Sequence, residues 1–376
     1  MGNVLSYVNP AKYLSHSRES PVDTPQTDSE LSENPDFYPA QRNEELNGRY
    51  KPVQKLGGGV YSEIYLATDS GGRSAAPTTT YRALKILTRD ATEECRAGTM
   101  LEPEIMREIS ADEVNGLSPH LHDSFGIPEY EGGPAAHICM VMDVHGMDLA
   151  TFRRTSPTKA LPSHTVRIVL RQVAEAVAHV HKLGIVHTDI KPDNILFHTW
   201  MSAEDITEWL RSEPRKFGES HPLPNPPSMK WDSGIEQAKN IKVLVADFGQ
   251  AQRVGRPPTV DTFSAFSLRA PEVILRSGFT QAIDIWAIGC IAFEMLVGRW
   301  LFHPVDGGDD WSLEDDHLAK MLEFTGEQFP ASMLPGGSPT SLASKYFDDQ
   351  GLHLLEYLLG CWNFKPRMWE WNLPNV

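Results

Sequence analysis

The stretch that decides the fold is residues 185–196, which read IVHTDIKPDNIL. A polar group of His, Asp, Lys and Asn side chains lies there between two short apolar runs. Such runs are typical of short buried strands, so the polar residues are predicted to form a loop between them. The loop suits phosphoryl transfer: Asp189 would orient an attacking hydroxyl, Asn194 would help hold a metal ion, and Lys191 would neutralise the moving phosphate. The segment alone is equally compatible with a plain polar turn.

The composition sets broad limits on the function. The chain has 376 residues, 40 % of them hydrophobic, which is enough for one large or two medium lobes. Its net charge of −16 argues against a nucleic-acid-binding face and favours basic partners if the acids cluster, although solubility alone also explains it. The four cysteines form no CxxC pair, which disfavours disulfides and zinc and indicates a reducing compartment. No apolar run is long enough to span a bilayer, and no secretory signal is expected.

Residues 1–47 are predicted to be a disordered arm. From residue 14 onward their Ser-, Pro- and acid-rich composition cannot offset the entropy lost on ordering, although residues 37–39 could dock onto the folded part. The opening MGNVLS matches the pattern for N-myristoylation at Gly2, a short pattern that also arises by chance. One acyl chain anchors a protein only marginally, so membrane contact is expected only if Gly2 is acylated.

A glycine run lies between two predicted strands where the folded part begins. Glycine lets backbone amides approach phosphate oxygens without a side-chain clash, whereas a bare glycine run is more often a hairpin turn. No helix pattern follows, which argues against a Rossmann or Walker loop. The candidate nucleotide-covering residues are Leu56, Gly57, Gly58, Gly59, Val60, Tyr61, Ser62 and Ile64.

Lys85 interrupts the apolar row of a predicted strand, residues 81–87. A buried lysine is costly unless it is paired, and the alternative is a solvent-facing edge lysine. Residues 101–113 suit a short helix with one apolar side and carry Glu102, Glu104 and Glu108 among its apolar residues. Of these, Glu104 is predicted to be the partner of Lys85.

The second half of the chain changes from strand to helix patterns. The change follows the buried strand at residues 137–142, so Asp143-Val144-His145-Gly146 is predicted to form a hinge between two lobes. Residues 198–240, which include the Pro-rich run HPLPNPP, are predicted to be a mostly flexible insert. A buried strand then resumes and stops at Asp247, followed by Phe248 and Gly249. An acid on such a flexible corner is a good magnesium ligand, and together with Asn194 it makes a plain turn acid the weaker interpretation.

Two further segments lie nearer the C-terminus. Ala270-Pro271-Glu272 precedes a near-continuous apolar helix, residues 285–297, that is predicted to be a buried pillar. Residues 306–316 form the strongest acidic cluster of the chain, which is either a solvated loop or a docking surface for a basic peptide. Its acids are Asp306, Asp309, Asp310, Glu314, Asp315 and Asp316.

The order of these elements resembles the motif set of eukaryotic protein kinases over about residues 48–367. The resemblance implies an α+β, bilobal fold, with a β-rich lobe at 48–143 and a helical lobe at 144–376 that holds the insert. It also implies that ATP binds at the hinge, including Asp143 and Val144, under the glycine loop. Lys85 would hold the α- and β-phosphates, and Asn194 and Asp247 would hold Mg²⁺.

Finer features resemble the SR-protein-specific kinase family, especially its fungal members. These are the entry strand after Gly48, Ser62 in place of a third glycine, Thr188 in the HTD form, the insert before Asp247, and the DDHLA segment at 315–319. The resemblance implies a non-specific serine/threonine kinase that phosphorylates Ser in Arg/Ser-rich splicing proteins, with the acidic segment 306–316 as their docking site. It implies a cytoplasmic and nuclear location and a role in splicing regulation, with no direct nucleic-acid contact.

Thr188 leads to an expectation about regulation. Most kinases have an arginine there that pairs with a phosphorylated activation loop, and threonine cannot make that pair. Activity is therefore predicted not to depend on phosphorylation of the loop hydroxyls Thr259, Thr262, Ser264 or Ser267.

Departures from the family keep other interpretations open. Arg367 looks like the partner of Glu272, but the match ends after it, so the C-terminus is interpreted as clipped. This end and the unusual glycine loop leave a catalytically weak pseudokinase or docking scaffold as the alternative. A small-molecule phosphotransferase can share the loop from Asp189 to Asn194, and the Ala-Pro-Glu motif disfavours it.

Overall fold

A computed structural model describes residues 35–71, 79–112, 116–130, 132–226, 229–260, 263–337, 341–351 and 353. The smaller lobe is built on one antiparallel sheet of five strands in the order β1-β2-β3-β5-β4. The strands are β1 (Tyr50–Gly58), β2 (Ser62–Asp69), β3 (Thr80–Leu87), β4 (Leu121–Pro128) and β5 (Ala135–Met142). Two helices accompany the sheet, α1 (Arg89–Ala97) and α2 (Glu102–Ala111). This lobe has the predicted β-rich character.

The larger lobe is mainly helical. Its helices are α3 (Leu149–Arg154), α4 (Ser163–Lys182), α5 (Ala203–Ser212), α6 (Ile235–Ala238), α7 (Pro271–Ile274), α8 (Ala282–Val297), α9 (Leu313–Thr325) and α10 (Ala343–Tyr346). Short strands β6 (His145–Asp148), β8 (Ile195–His198) and β9 (Val243–Val245) form one small sheet, and β7 (Ile185–Val186) pairs with β10 (Gln252–Arg253). The loop at 187–194 therefore lies between two short strands, as predicted.

The core of the larger lobe surrounds α4 and α8. Val169, Val173 and Val177 of α4 pack in one cluster with Ala287 and Ile291 of α8. The apolar helix was predicted to be buried on all sides. It is buried only on the face that carries Ala287 and Ile291, because Ile285 and Leu296 are exposed. No helix in the described part of the chain is both long and apolar enough to cross a bilayer.

The predicted disorder over residues 1–47 is wrong at residues 35–47. Phe37 and Leu46 are buried, the Asp36 side chain accepts from Asp90 N at 3.1 Å at the start of α1, and Tyr38 packs edge-on against His137. The expected docking around residues 37–39 is confirmed. The composition did not reveal this order, because a few buried side chains such as Phe37 and Leu46 are enough to hold a segment whose other residues are polar. Residues 1–34, including Gly2, lie outside the described residues.

The predicted flexibility of the insert at 198–240 is also wrong for most of its length. Helix α5 begins with a capping box between Ser202 and Asp205, and its Trp209 is buried. Leu223, within the Pro-rich run, is buried beside Leu66 of the smaller lobe. Burial of these few apolar side chains stabilises the insert, although its composition alone predicts a loop.

Candidate active site

The glycine loop is the turn between β1 and β2. Gly59 N donates to Ser62 O at 2.9 Å, and Val60 and Tyr61 are exposed at the tip. A Cβ added at Gly57 or Gly59 would meet no atom within 4 Å, so packing inside the protein does not require glycine there. The open space fits close approach of a phosphate to the backbone, as the sequence predicted. Ile64 pairs with Lys85 across β2 and β3, while Leu56 packs against the cluster that contains Val144 and Leu223.

Lys85 is buried and joins the two lobes. Its Nζ lies 2.6 Å from Glu102 Oε1 and 2.9 Å from Asp247 Oδ1. Partial desolvation of the Asp247 carboxylate opposes its ionisation, but the Lys85 ammonium outweighs this effect and lowers the pKa of Asp247 to about 2. Burial raises the pKa of Glu102 even though Lys85 acts in the opposite direction. The predicted convergence of residues 85 and 247 is therefore present.

The prediction that Glu104 pairs with Lys85 is wrong: the partner is Glu102. Glu104 Oε1 instead lies 2.8 Å from Arg253 Nη2, and its side chain is 61 % exposed. Helical periodicity holds the missed signal, since Glu102 shares the apolar face of α2 with Ile105, Met106 and Ile109, all buried. Glu104 lies on the opposite face of the helix.

The catalytic loop brings its three predicted residues together. Lys191 Nζ lies 2.7 Å from Asp189 Oδ2, and Asn194 Nδ2 donates to the same oxygen at 3.0 Å and to Asp189 O at 2.9 Å. Ala246 N donates to Asn194 O at 2.9 Å, which places Asp247 directly beside the loop. A short 3₁₀ turn over Pro192–Asn194 sets this geometry.

Asp284 is a functional residue to which the sequence analysis assigned no role. Buried at the start of α8, it accepts hydrogen bonds from His187 N at 2.8 Å and Thr188 N at 2.9 Å, and contacts His181 Nε2 at 2.8 Å. It therefore holds the backbone that carries Asp189. An acid that opens an otherwise apolar helix was the available signal.

Phe248 anchors the magnesium-binding corner in the core. It is fully buried against Ile105, Met106 and Ile109 of α2, and its ring centroid lies 4.7 Å from that of His187. Asp247 itself has φ 66°, a left-handed conformation that is uncommon for a non-glycine residue. The buried Phe248 ring anchors the backbone next to Asp247, whose Oδ1 lies 2.9 Å from Lys85 Nζ.

Comparison with known proteins identifies the family. A model of the protein kinase domain matches residues 50–360. The chain belongs to the protein kinase family. It is 29 % identical to "Serine/threonine-protein kinase SRPK" of Physarum polycephalum, over 89 % of its own length and 79 % of that protein. It is 30 % identical to "Probable serine/threonine-protein kinase clkA" of Dictyostelium discoideum, over 84 % of its own length and 30 % of that protein.

A third relative is named as a dual-specificity kinase. "Dual specificity protein kinase KNS1" of Saccharomyces cerevisiae is 28 % identical over 82 % of this chain and 40 % of that protein. The kinase therefore spans less than half of two of these three relatives. The predicted resemblance to protein kinases of the SR-protein-specific type is confirmed, as is the bilobal fold. The kinase is a serine/threonine protein kinase of the SRPK and CLK type.

A protein kinase domain implies ATP as the phosphate donor, generally with Mg²⁺. The oxygen atoms present fit such an ion. Asn194 uses its side-chain nitrogen to bond Asp189, which leaves its side-chain oxygen Oδ1 without a hydrogen-bond partner among the described residues. Asp247 is ionised and 47 % exposed. Two protein ligands suffice, because Mg²⁺ usually keeps several waters and takes its remaining oxygens from phosphates.

At the hinge, the Asp143 side chain is bound within the protein. The Asp143 carboxylate contacts His122 Nε2 at 2.6 Å and Arg82 Nη1 at 3.4 Å. It lines a cavity of about 910 Å³ that is also lined by Ser110 and His120. Because the Asp143 carboxylate already has hydrogen-bond partners, we expect a nucleotide to contact the backbone around Asp143 and the largely buried Val144.

Proposed function

We propose that this kinase transfers the γ-phosphate of ATP to serine in Arg/Ser-rich proteins of the splicing-factor type. The observation that carries the proposal is the convergence of Asp189, Lys191 and Asn194 beside Asp247 and Lys85. Asp189 would orient the serine hydroxyl and accept its proton, while Lys191 would neutralise charge on the phosphoryl group. Similarity to the Physarum "Serine/threonine-protein kinase SRPK" supports transfer to a protein hydroxyl by a kinase of the SRPK type. Splicing regulation in the cytoplasm and nucleus is part of the same proposal.

The test is phosphate incorporation into an Arg-Ser repeat peptide and into an acidic-site peptide. We expect strong preference for the Arg-Ser peptide. Asp189→Ala should lower kcat by at least about a thousandfold with ATP affinity within about threefold, because Asp189 acts on the hydroxyl and not on the nucleotide. A wild-type protein that binds ATP without turnover on either peptide would favour the pseudokinase or scaffold alternative. The complete set of catalytic side chains argues against that alternative.

We further propose that activity does not require phosphorylation of the activation segment. Neutral hydrogen bonds hold the activation segment in place, as a phosphate does in other kinases. Thr188 Oγ1 donates to Gln250 O at 2.7 Å, and Ser264 Oγ donates to Thr188 O. Gln252 binds Thr259 twice, through Thr259 N at 2.9 Å and Thr259 Oγ1 at 3.0 Å. Each bond links the segment to itself or to the catalytic loop without a charged partner.

This independence has a direct measurement. Phosphatase-treated kinase and the Ser267→Ala variant should keep kcat/KM within about threefold of the untreated enzyme, since threonine at position 188 cannot pair with a phosphate. The fourth hydroxyl, Thr262, lies outside the described residues. A rise of more than about tenfold on phosphorylation of any one of these sites would contradict the proposal.

A further inference from the structure

A groove on the back of the larger lobe carries four basic side chains in an otherwise acidic protein. Arg167 and Arg171 extend from α4, and Lys239 and Lys242 lie on the segment between α6 and β9. The space between them is about 760 Å³. Among the described residues that line it, Glu175 is the one acidic residue, against a net charge of −16 for the whole chain. We call these four side chains and the space between them the basic groove.

The charges of the basic groove are largely available to a partner. Arg171 and Lys239 have only exposed partners, Glu175 at 3.7 Å and Glu236 at 2.7 Å, and such surface pairs hold their charges weakly. Arg167 makes no ion pair with any described residue, and the same is true of Lys242. The groove therefore presents a positive potential to solvent.

The floor of the groove is apolar and rigid. It is formed by Leu117, Ile168 and Ile241, of which Ile241 is buried. Gln172 ties the helix to the strand beneath it: its Nε2 donates to Ile168 O at 3.1 Å and Ile241 O at 3.0 Å, and Val243 N donates to its Oε1 at 3.1 Å. A preorganised floor reduces the entropy lost when a ligand binds.

We propose that the basic groove binds an extended acidic peptide segment of a protein partner, with an aliphatic side chain of that segment on the apolar floor. Charge complementarity favours an acidic ligand, and it makes an Arg/Ser-rich substrate an unfavourable one. An RNA strand fits less well, because His198 is the one aromatic ring among the described lining residues, whereas single-stranded RNA is usually bound by several rings that stack on successive bases. The partner is therefore distinct from the substrate, and the inference does not depend on the proposed substrate class.

The test is fluorescence anisotropy with a labelled peptide of alternating Glu and Asp around a central Leu. The groove variant is Arg167→Glu with Lys242→Glu. The matched control is Arg211→Glu with Lys216→Glu, an equal change of charge on the exposed side of the insert. We expect the groove variant to weaken binding at least about tenfold and the control to stay within about twofold, since only the first converts attraction into repulsion at the groove.

Three results would overturn the inference. They are no saturable binding of the acidic peptide by the wild-type kinase, an equal loss of binding in both variants, and tighter binding of a labelled single-stranded RNA than of the peptide. Turnover of a short Arg-Ser peptide should be unchanged in both variants, which separates this result from a failure of the proposed function. Replacing the central Leu of the probe with Asp should also weaken binding if the apolar floor is used.

Discussion

At the scale of single residues, the site depends on which glutamate reaches Lys85. Glu102 is buried at 2.6 Å from the ammonium, whereas Glu104 is exposed and bound to Arg253. We expect Glu102→Gln to lower kcat/KM by about 10- to 100-fold, since a hydrogen bond to a charged group contributes about 1.5–3 kcal/mol. Glu104→Gln should change it by less than about threefold, because Glu108 still holds Arg253 at 2.7 Å.

Steady-state kinetics with ATP as the varied substrate measures this pair of variants. The KM for ATP should rise in Glu102→Gln, because Lys85 loses the partner that places it for the phosphates. Equal effects of the two variants, or a larger effect at Glu104, would mean that the helix sits differently in the working enzyme.

At the scale of elements, one arginine connects α2 to the activation segment. Arg253 Nη2 lies 2.8 Å from Glu104 Oε1 and 2.7 Å from Glu108 Oε2, and its side chain is 14 % exposed. These pairs hold α2, and with it Glu102, against the strand that follows the Asp-Phe-Gly corner. We expect Arg253→Leu to lower kcat about 5- to 20-fold, from two half-exposed ion pairs at up to about 1 kcal/mol each. Arg253→Lys should keep most of the activity.

The melting temperature separates positioning from general destabilisation in this experiment. Arg253→Leu should shift Tm by no more than a few degrees, while Arg253→Lys, which keeps a positive charge facing Glu104 and Glu108, should retain most of kcat. An unchanged kcat in Arg253→Leu, or an equal loss in Arg253→Lys, would contradict this connection.

At the scale of the whole molecule, the acidic segment 306–316 is the proposed capture site for basic substrates. Three of its acids already bind the protein: Asp306 accepts from Gly308 N, Asp315 caps α9, and Asp316 accepts from Val305 N. The remaining three are Asp309, Asp310 and Glu314. Neutralising them to Asn, Asn and Gln should raise the KM for an Arg-Ser peptide about 5- to 20-fold and leave the KM for ATP within about twofold, because only the basic peptide gains from those charges.

The matched control neutralises Glu204, Glu208 and Glu236 on the insert and α6, the same change of three charges far from the segment. That variant should keep the peptide KM of the wild type at about 150 mM salt, where distant charges are screened. A rise in peptide KM that is equal in both variants would indicate only the net charge of the chain, and equal effects on peptide and ATP would contradict docking.

The sequence predicted what depends on local order and residue chemistry. The loop from Asp189 to Asn194, the acid at 247, the glycine turn and the β-then-α sequence of the lobes are all confirmed in outline, because each is carried by a short stretch with its own spacing. The signal for Asp284 was also local, an acid at the start of an apolar helix, although its role became clear only from its contacts with the catalytic loop.

Only the tertiary structure decided the partners that come from distant parts of the chain. Side-chain burial separates Glu102 from Glu104, two residues apart on one helix, and it depends on how α2 packs on Phe248 and the sheet. Polar composition predicted flexibility for residues 35–47 and for the insert around Trp209 and Leu223. A few apolar side chains of both segments nevertheless pack against the smaller lobe. Burial is a property of the assembled fold, so a linear pattern determines which residues can meet but not which of them do.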